Sequence, residues 1–291
     1  MSGAVQTGWA SSAGPAAPTP AGSRRRWLLA VTVAWAVLLA GLTWISVRND
    51  PPTVREQRSL DQAGPVVDRA VGELARAAGA AGLLELGPAR VASGCRVTPF
   101  ADGARLRREV GVLAATGDER AVLAGIAERL PASWRAGVGP GVDGPELRAD
   151  AGEFVAVEGR PTVDGRVRLV VDTGCRPVGT GYTPALATAG DPETAALTAA
   201  LTAALRALDR PGDAASELVT APCPGGGLAR TAWSANGPGP AASAAALAPL
   251  AGNGPLLDQP PVYAYRSGVV TVLAEISPDA TRLAATVGCS G

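Results

Sequence analysis

The chain has 291 residues, with 26 basic and 26 acidic side chains, so its formal net charge is zero. This balance argues against a nucleic-acid partner, because phosphate binding needs a surplus of positive charge on one face. Every basic residue is arginine, and neither histidine nor lysine occurs. Their absence excludes Ser-His-Asp and Cys-His catalysis, most zinc sites, Schiff bases and P-loops, and leaves carboxylate, tyrosine and thiol chemistry open.

The first apolar segment, WLLAVTVAWAVLLAGLTWISV at 27–47, is 21 residues long and carries no charge. At about 1.5 Å per residue it can span a hydrocarbon core of roughly 30 Å, with Trp27 and Trp44 near its ends. A buried core helix would have a polar face, and a cleaved signal peptide would have a shorter apolar run before small residues. We therefore predict an uncleaved transmembrane helix in the lipid bilayer, preceded by a disordered cytoplasmic tail (1–26) and followed by a juxtamembrane linker (48–64).

Beyond the linker, two segments are predicted to be extracytoplasmic units, 65–180 and 191–291. Each contains a helix, a strand, a second helix and a hairpin that ends in cysteine. The predicted elements are a helix at 65–80, a strand at 104–114, a helix at 118–130 with a Thr116–Glu119 capping box and a hairpin at 154–175, then a helix at 191–209, a strand at 228–234, a weak helix at 241–250 and a hairpin at 269–289.

The two hairpins match in their spacing. Counting back from Cys175 and from Cys289, each has glycine at one step, leucine at six and arginine at seven, which are Arg168 and Arg282. Period-two alternation places each cysteine on the buried side of its strand and each arginine on the other side. This pattern predicts an α+β fold with two tandem related α/β-sandwich-like units, although chance resemblance between two alanine-rich segments is the alternative.

The chain has four cysteines, for which duplication selects the pairs Cys95–Cys175 and Cys223–Cys289. Each bridge would close one unit and stabilise it by roughly 4 kcal/mol in the chain-entropy model. Unpaired buried thiols are the main alternative, because the isolated spacing fits neither zinc nor an iron–sulfur cluster and no base accompanies a catalytic thiol. Disulfides persist in oxidising space, which predicts a cytoplasmic N-terminus and an extracytoplasmic C-terminal part in the cell membrane.

Four residues are candidates for contact with a partner. Tyr263 and Tyr265 lie on one side of a predicted strand and would form a contact surface if that side is exposed, since tyrosine is enriched at interface anchors. Arg168 and Arg282 could bind an anionic partner. The alternatives are ordinary strand composition for the tyrosines and edge charges that discourage aggregation for the arginines.

No catalytic constellation is evident, so we predict a non-enzymatic cell-envelope module without cofactor or metal, which binds an envelope protein or a cell-wall partner. A carboxylate-dependent envelope hydrolase is the alternative, because Glu158 and Asp172 share one predicted sheet face. A carrier for a small apolar ligand is a third hypothesis. The PCPGGG run at 222–227 lacks the spacing and the lysine of a P-loop and is predicted to be a flexible turn.

Overall fold

The structure is a computed structural model that describes residues 21–49, 58–79, 83–113, 118–162, 165–184, 191–210, 215–235, 237 and 243–289. The chain divides into an N-terminal part that ends at Pro52 and a C-terminal domain that begins at Thr53. The fold of the C-terminal domain is α+β, with two antiparallel sheets and two disulfides. Most of the predicted tail (1–20) and most of the linker (50–57) lie outside the described residues.

Among the described residues of the N-terminal part is helix α1 (Ala21–Asn49), which begins before the predicted Trp27. Its segment from Arg26 to Ser46 is long and apolar enough to cross a membrane, and none of it is buried against protein. The hydroxyls of Thr32 and Thr43 donate hydrogen bonds to the carbonyls of the residues four positions earlier, at 2.8 and 2.7 Å. These bonds satisfy the only hydroxyls between Trp27 and Ile45, as a hydrocarbon environment requires.

The C-terminal domain begins with helix α2 (Leu60–Gly79), which is followed by a seven-stranded antiparallel sheet, sheet A. Its order is β1-β3-β7-β6-β5-β4, and β2 pairs with the other end of β3. The strands are β1 (Leu83–Leu86), β2 (Arg90–Thr98), β3 (Ala101–Leu113), β4 (Gly137–Gly141), β5 (Gly144–Asp150), β6 (Ala156–Pro161) and β7 (Arg166–Arg176). Helix α3 (Glu119–Arg129) and a 3-10 turn (Ala132–Trp134) connect β3 to β4.

Sheet B is a six-stranded antiparallel sheet in the order β10-β11-β12-β13-β9-β8. Helix α4 (Pro192–Ala207) precedes it, and a 3-10 helix (Ala244–Leu250) stands between β9 and β10. The strands are β8 (Ala215–Pro222), β9 (Leu228–Ser234), β10 (Leu257–Gln259), β11 (Val262–Ser267), β12 (Val270–Ile276) and β13 (Thr281–Val287). The PCPGGG run forms the turn between β8 and β9, as predicted.

The helices cover the sheets through apolar stripes, because leucine, valine and alanine recur at helical spacing. Helix α2 packs against β3 and β7 of sheet A and also against β8 of sheet B. One hydrophobic core therefore contains side chains of α2, of sheet A and of one face of sheet B. A second core lies between the other face of sheet B and α4.

The sequence located most helices and strands but missed some boundaries. Helix α2 begins at Leu60, whose side chain is fully buried, so the end of the predicted linker belongs to the domain. Asp191 caps α4 and accepts a hydrogen bond from the backbone of Glu193, as predicted. The expected weak helix at 241–250 is a 3-10 helix, and Thr116 of the proposed capping box lies outside the described residues.

Both predicted disulfides are confirmed, Cys95–Cys175 and Cys223–Cys289. The prediction that Cys175 lies on the buried side of its strand is wrong. A β-bulge opposite β3 places Gly174 at φ 64°, which reverses the alternation along β7. As a result Arg176 is fully buried and Cys175 is partly exposed.

A buried polar cluster joins the two halves of the shared core. Arg108 on β3 is 1% exposed, and its guanidinium donates to the Asp68 carboxylate at 2.6 Å and to the backbone carbonyl of Thr220 at 2.8 Å. The Tyr182 hydroxyl donates to the same Asp68 oxygen at 2.7 Å. Removing one member would leave a buried charge unpaired, which makes the cluster a fixed point between α2, sheet A and sheet B.

Helix α2 approaches β8 so closely that only glycine fits at position 72. A Cβ atom there would lie 1.7 Å from the carbonyl oxygen of Pro222, whereas a Cβ at Gly79 of the same helix meets nothing within 4 Å. We expect Gly72→Ala to lower the free energy of unfolding by about 1–3 kcal/mol or more, because a backbone clash must displace the helix.

The matched control, Gly79→Ala, should leave stability unchanged or raise it by up to about 1 kcal/mol through helix propensity. Urea unfolding of both variants in the full chain, followed by circular dichroism, measures the difference. Equal stability of the two variants would contradict the close contact between α2 and β8.

Candidate functional site

A polar cleft of about 300 Å³ opens where sheet A meets sheet B. Its lining includes four arginines, three glutamates and one tryptophan. These eight residues, which we call the arginine cleft, are Arg90, Arg166, Arg168, Arg282, Glu85, Glu109, Glu275 and Trp233.

The floor of the arginine cleft is an ion-pair bridge between the two sheets. Arg166, at the start of β7, donates to Glu85 of β1 at 2.8 Å and to Glu275 of β12 at 3.0 Å. The side chains of Arg166 and Glu85 are only 11% and 12% exposed. Because this guanidinium is already engaged by two carboxylates, we regard it as a structural bridge and not as a free anion site.

Local backbone features position these groups. Gly111 of β3 pairs with Glu85 on one side and with Arg168 on the other. A Cβ at Gly111 would lie 2.6 Å from atoms of the Glu85 side chain, so glycine leaves the space in which that side chain lies. On the sheet B side, Trp233 of β9 donates from its indole nitrogen to the Leu86 carbonyl at 2.8 Å, which holds β1 against β9.

The other three arginines of the cleft are less fully paired than Arg166. Arg282 lies over the Trp233 ring, with its guanidinium carbon 3.8 Å from the ring centroid. Arg168 is 58% exposed and reaches Glu109 at only 3.8 Å. Within the part of the chain that the structure describes, Arg90 and Arg282 make no ion pair within 4 Å. These three guanidiniums retain donors for an incoming group.

Burial raises the pKa of Glu85 above its ordinary value, and the positive charges of Arg166 and Arg282 oppose this shift in part. One of its carboxylate oxygens, Oε2, is buried without a hydrogen-bond partner among the described residues.

Chemically, the arrangement is suited to binding a small anionic group. Guanidinium groups donate paired hydrogen bonds that match carboxylate and phosphate geometry. The volume of about 300 Å³ is at the small end of ligand sites, and the cleft is lined mainly by polar atoms. It can accept a charged head group or an acidic side chain more readily than a large apolar ligand.

The sequence-predicted contact residues separate in the structure. Arg168 and Arg282 come from different sheets and both line the arginine cleft. Tyr263 and Tyr265 are 2% and 1% exposed, so the expectation that they form an exposed contact surface is wrong. They lie on the side of β11 that faces the second core, where their rings pack against apolar side chains.

The two carboxylates that suggested a hydrolase lie on the outer face of sheet A, outside the arginine cleft. Asp172 bonds to Arg107 at 2.7 Å and lies 3.4 Å from Arg105. Glu158 pairs with Arg160 at 3.0 Å. Each carboxylate is thus neutralised by arginine on a charged sheet surface.

Sequence reasoning missed Arg166, Glu85, Glu275 and Trp233 as site residues. The partners of Arg166 are 81 and 109 positions away in the chain, so no local spacing could reveal them. One local signal was present, since Arg166 and Arg168 are two positions apart in one strand and therefore lie on the same face of it.

Comparisons with protein-family models, with curated proteins and with solved structures found no match to this chain.

The buried position of Tyr265 has a measurable consequence at alkaline pH. Burial raises the pKa of Tyr265 to about 12, and the neighbouring Tyr263 adds to this shift. An unfolded tyrosine titrates near pH 10, so the neutral form favours the folded state. This contribution is complete below about pH 10 and is lost as the pH rises towards about 12, on the order of 2 kcal/mol in total.

As the pH rises from about 9 to about 11.5, we expect the free energy of unfolding to fall less for Tyr265→Phe than for the wild type. Urea unfolding at each pH measures this difference. Absorbance titration of the folded protein should show a tyrosinate midpoint near pH 12 that the variant lacks. A Tyr265 midpoint near pH 10 would indicate the exposed surface expected from the sequence.

Proposed function

We propose that this protein is a single-pass, membrane-anchored, non-enzymatic binding module of the cell envelope. Its C-terminal domain is extracytoplasmic, and the arginine cleft receives an anionic group of an envelope protein or a cell-wall partner. The observation that carries the proposal is the convergence of Arg168, Arg282 and Arg90, from both sheets, on one cleft. Three guanidiniums with free donors that face one cleft can offer an anion several charge-assisted hydrogen bonds at once.

The orientation rests on the disulfides. Two bridges join residues 80 and 66 positions apart in sequence, and such bridges persist outside the reducing cytoplasm. The apolar helix α1 precedes both of them in the chain, so one membrane crossing suffices to deliver every cysteine to an oxidising compartment. Both observations support a cytoplasmic N-terminus.

The arginine cleft is distant from the beginning of the described domain. Strand β7 has 11 residues and runs about 34 Å from Arg166, in the cleft, to Arg176. Arg176 donates to the backbone carbonyl of Arg58, the first described residue of the domain, at 3.5 Å. The arginine cleft and Arg58, where the domain follows the segment that links it to α1 (residues 50–57, here called the tether), are therefore at opposite ends of β7.

We infer that the domain arose by duplication of one unit. Read from β8, sheet B has an edge strand, β9, β13, β12, β11 and β10, and sheet A read from β1 has an edge strand, β3, β7, β6, β5 and β4. Each sheet follows a helix, and each disulfide ends at the cysteine after or within the last strand of its sheet. The shared order supports the two related units that the matched hairpins indicate.

The geometry favours binding over hydrolysis. A carboxylate hydrolase needs an acid and a second carboxylate with room for substrate and water between them. In the cleft, Glu85 and Glu275 both bind Arg166, and Glu109 lies beside Arg168. The same holds for the hypothesis of a carrier for an apolar ligand. The space beneath α4 is filled by Leu197, Leu201 and the two tyrosines of β11, which leaves no room for such a ligand there.

The membrane topology can be tested with tags at both ends of the chain. In intact cells stripped of their wall, we expect added protease to remove a C-terminal tag and to spare an N-terminal tag. Non-reducing peptide mapping of the same membranes should link Cys95 to Cys175 and Cys223 to Cys289. A shielded C-terminus or four free thiols would contradict the extracytoplasmic assignment.

The cleft can be tested with inorganic phosphate and succinate as probes. We expect both to raise the melting temperature of the full chain in detergent, and Arg168→Gln/Arg282→Gln to weaken binding at least tenfold. Each lost charge-assisted hydrogen bond is worth about 1.5–3 kcal/mol, and 1.4 kcal/mol is tenfold in affinity.

Arg120→Gln is the matched control, because Arg120 is exposed on α3 and is not part of the cleft. It should bind both probes as the wild type does. If the wild type, the control and the double variant respond equally, the cleft is not the anion site.

A further inference from the structure

The end of the C-terminal domain that receives the tether displays the chain's phenylalanines. The sequence contains two phenylalanines, Phe100 and Phe154, and both are exposed, at 90% and 50%. By contrast, Trp134, Trp233 and Tyr265 of the same domain are buried. Rings in contact with solvent contribute little hydrophobic stabilisation to the domain, so both remain available to bury against an apolar partner.

Topology places both rings at the same end of sheet A. Phe100 lies in the turn between β2 and β3, and Ala104 of β3 is the first residue paired with β7, opposite Arg176. The hairpin tip therefore extends beyond the end of β7. The disulfide Cys95–Cys175 joins the hairpin to that end of β7.

Phe154 is held at this end by Arg176. The buried guanidinium of Arg176 donates to the backbone carbonyl of Glu153 at 2.5 Å, next to Phe154, and to that of Arg58 at 3.5 Å. The side chains of Arg58 and Glu153 also form a salt bridge at 3.4 Å. Phe154 itself adopts φ 59°, an unusual conformation for a bulky residue, and its ring is half exposed.

The tether limits how far this end can be from lipid. Helix α1 ends at Asn49, and Arg58 follows nine residues later. Nine extended residues reach at most about 30 Å. A domain held this close has a high effective concentration at the bilayer, so two rings that would bind lipid weakly on a free protein can hold a tethered one.

We propose that Phe100 and Phe154 dock this end of the domain onto the outer surface of the bilayer, with their rings among the headgroups and upper acyl chains. The occupant of the surface is lipid. The inference rests on the membrane anchoring proposed above and adds a second, reversible contact between the chain and the bilayer.

The presence of only two phenylalanines makes a direct test possible. The full chain is labelled with 3-fluorophenylalanine and placed in nanodiscs of phosphatidylcholine and phosphatidylglycerol, which gives one fluorine resonance for each ring. Phe100→Leu and Phe154→Leu assign the two resonances. Relaxation is then measured with a soluble gadolinium chelate and, separately, with doxyl-labelled phosphatidylcholine.

Val142→Phe supplies an internal control. Val142 is fully exposed in the β4–β5 turn, and the neighbouring Gly144 lies beside Pro161, at the Arg166 end of β7. We expect doxyl lipid to broaden the resonances of Phe100 and Phe154 and not the control. The chelate should relax the control at least threefold more than either native ring.

If all three rings respond equally to the chelate and none to doxyl lipid, the docking proposal is overturned. Migration of the protein with the nanodiscs on size exclusion at high salt separates this result from a failure of the anchor. Protein that migrates with nanodiscs while both rings stay exposed overturns the docking alone. Protein that separates from the discs overturns the anchor, and the docking with it.

Discussion

The position of helix α2 is the constraint on which the C-terminal domain depends. At Gly72 the helix backbone meets the Pro222 carbonyl of β8 with no room for a methyl group, and the helix also packs against β3 and β7 of sheet A. The two sheets are therefore held at a fixed separation through one helix. The arginine cleft exists because β1 of sheet A then reaches β9 of sheet B, where the Trp233 indole donates to the Leu86 carbonyl.

Strand β7 organises the domain along its length. At one end, Arg166 joins the two sheets through Glu85 and Glu275. At the other end, Arg176 donates hydrogen bonds to the backbone carbonyls of Arg58 and Glu153, next to Phe154. Both arginines are largely buried and satisfied by several acceptors, which is how a protein without lysine or histidine builds rigid polar joints. The bulge at Gly174 turns Arg176 inwards, and its guanidinium then reaches the backbone carbonyls of Glu153 and Arg58.

Much of the secondary structure could be predicted because it depends on local patterns in the sequence. The apolar stripe of α4 and its Asp191 cap, the hairpins and both disulfide pairs follow from spacing within one segment or between two similar ones. The fate of Tyr263 and Tyr265 could not be predicted, since both faces of sheet B are covered and alternation does not reveal a second covering layer. The arginine cleft could be predicted only in part. Arg168 and Arg282 stood out as matched positions, whereas the roles of Arg166 and Glu85 depend on tertiary contacts between distant parts of the chain.

The buried cluster around Arg108 bears on how the two halves of the domain came to depend on each other. Arg108 and Asp68 belong to the first half, but the guanidinium also donates to the Thr220 carbonyl in the second. A chain cut between residues 184 and 191 would leave that donor facing water or nothing, and would expose the surface of α2 that β8 covers. If the halves descend from one self-sufficient ancestor, each has since given up its independence. Each half now depends on the other to cover part of the core that they share.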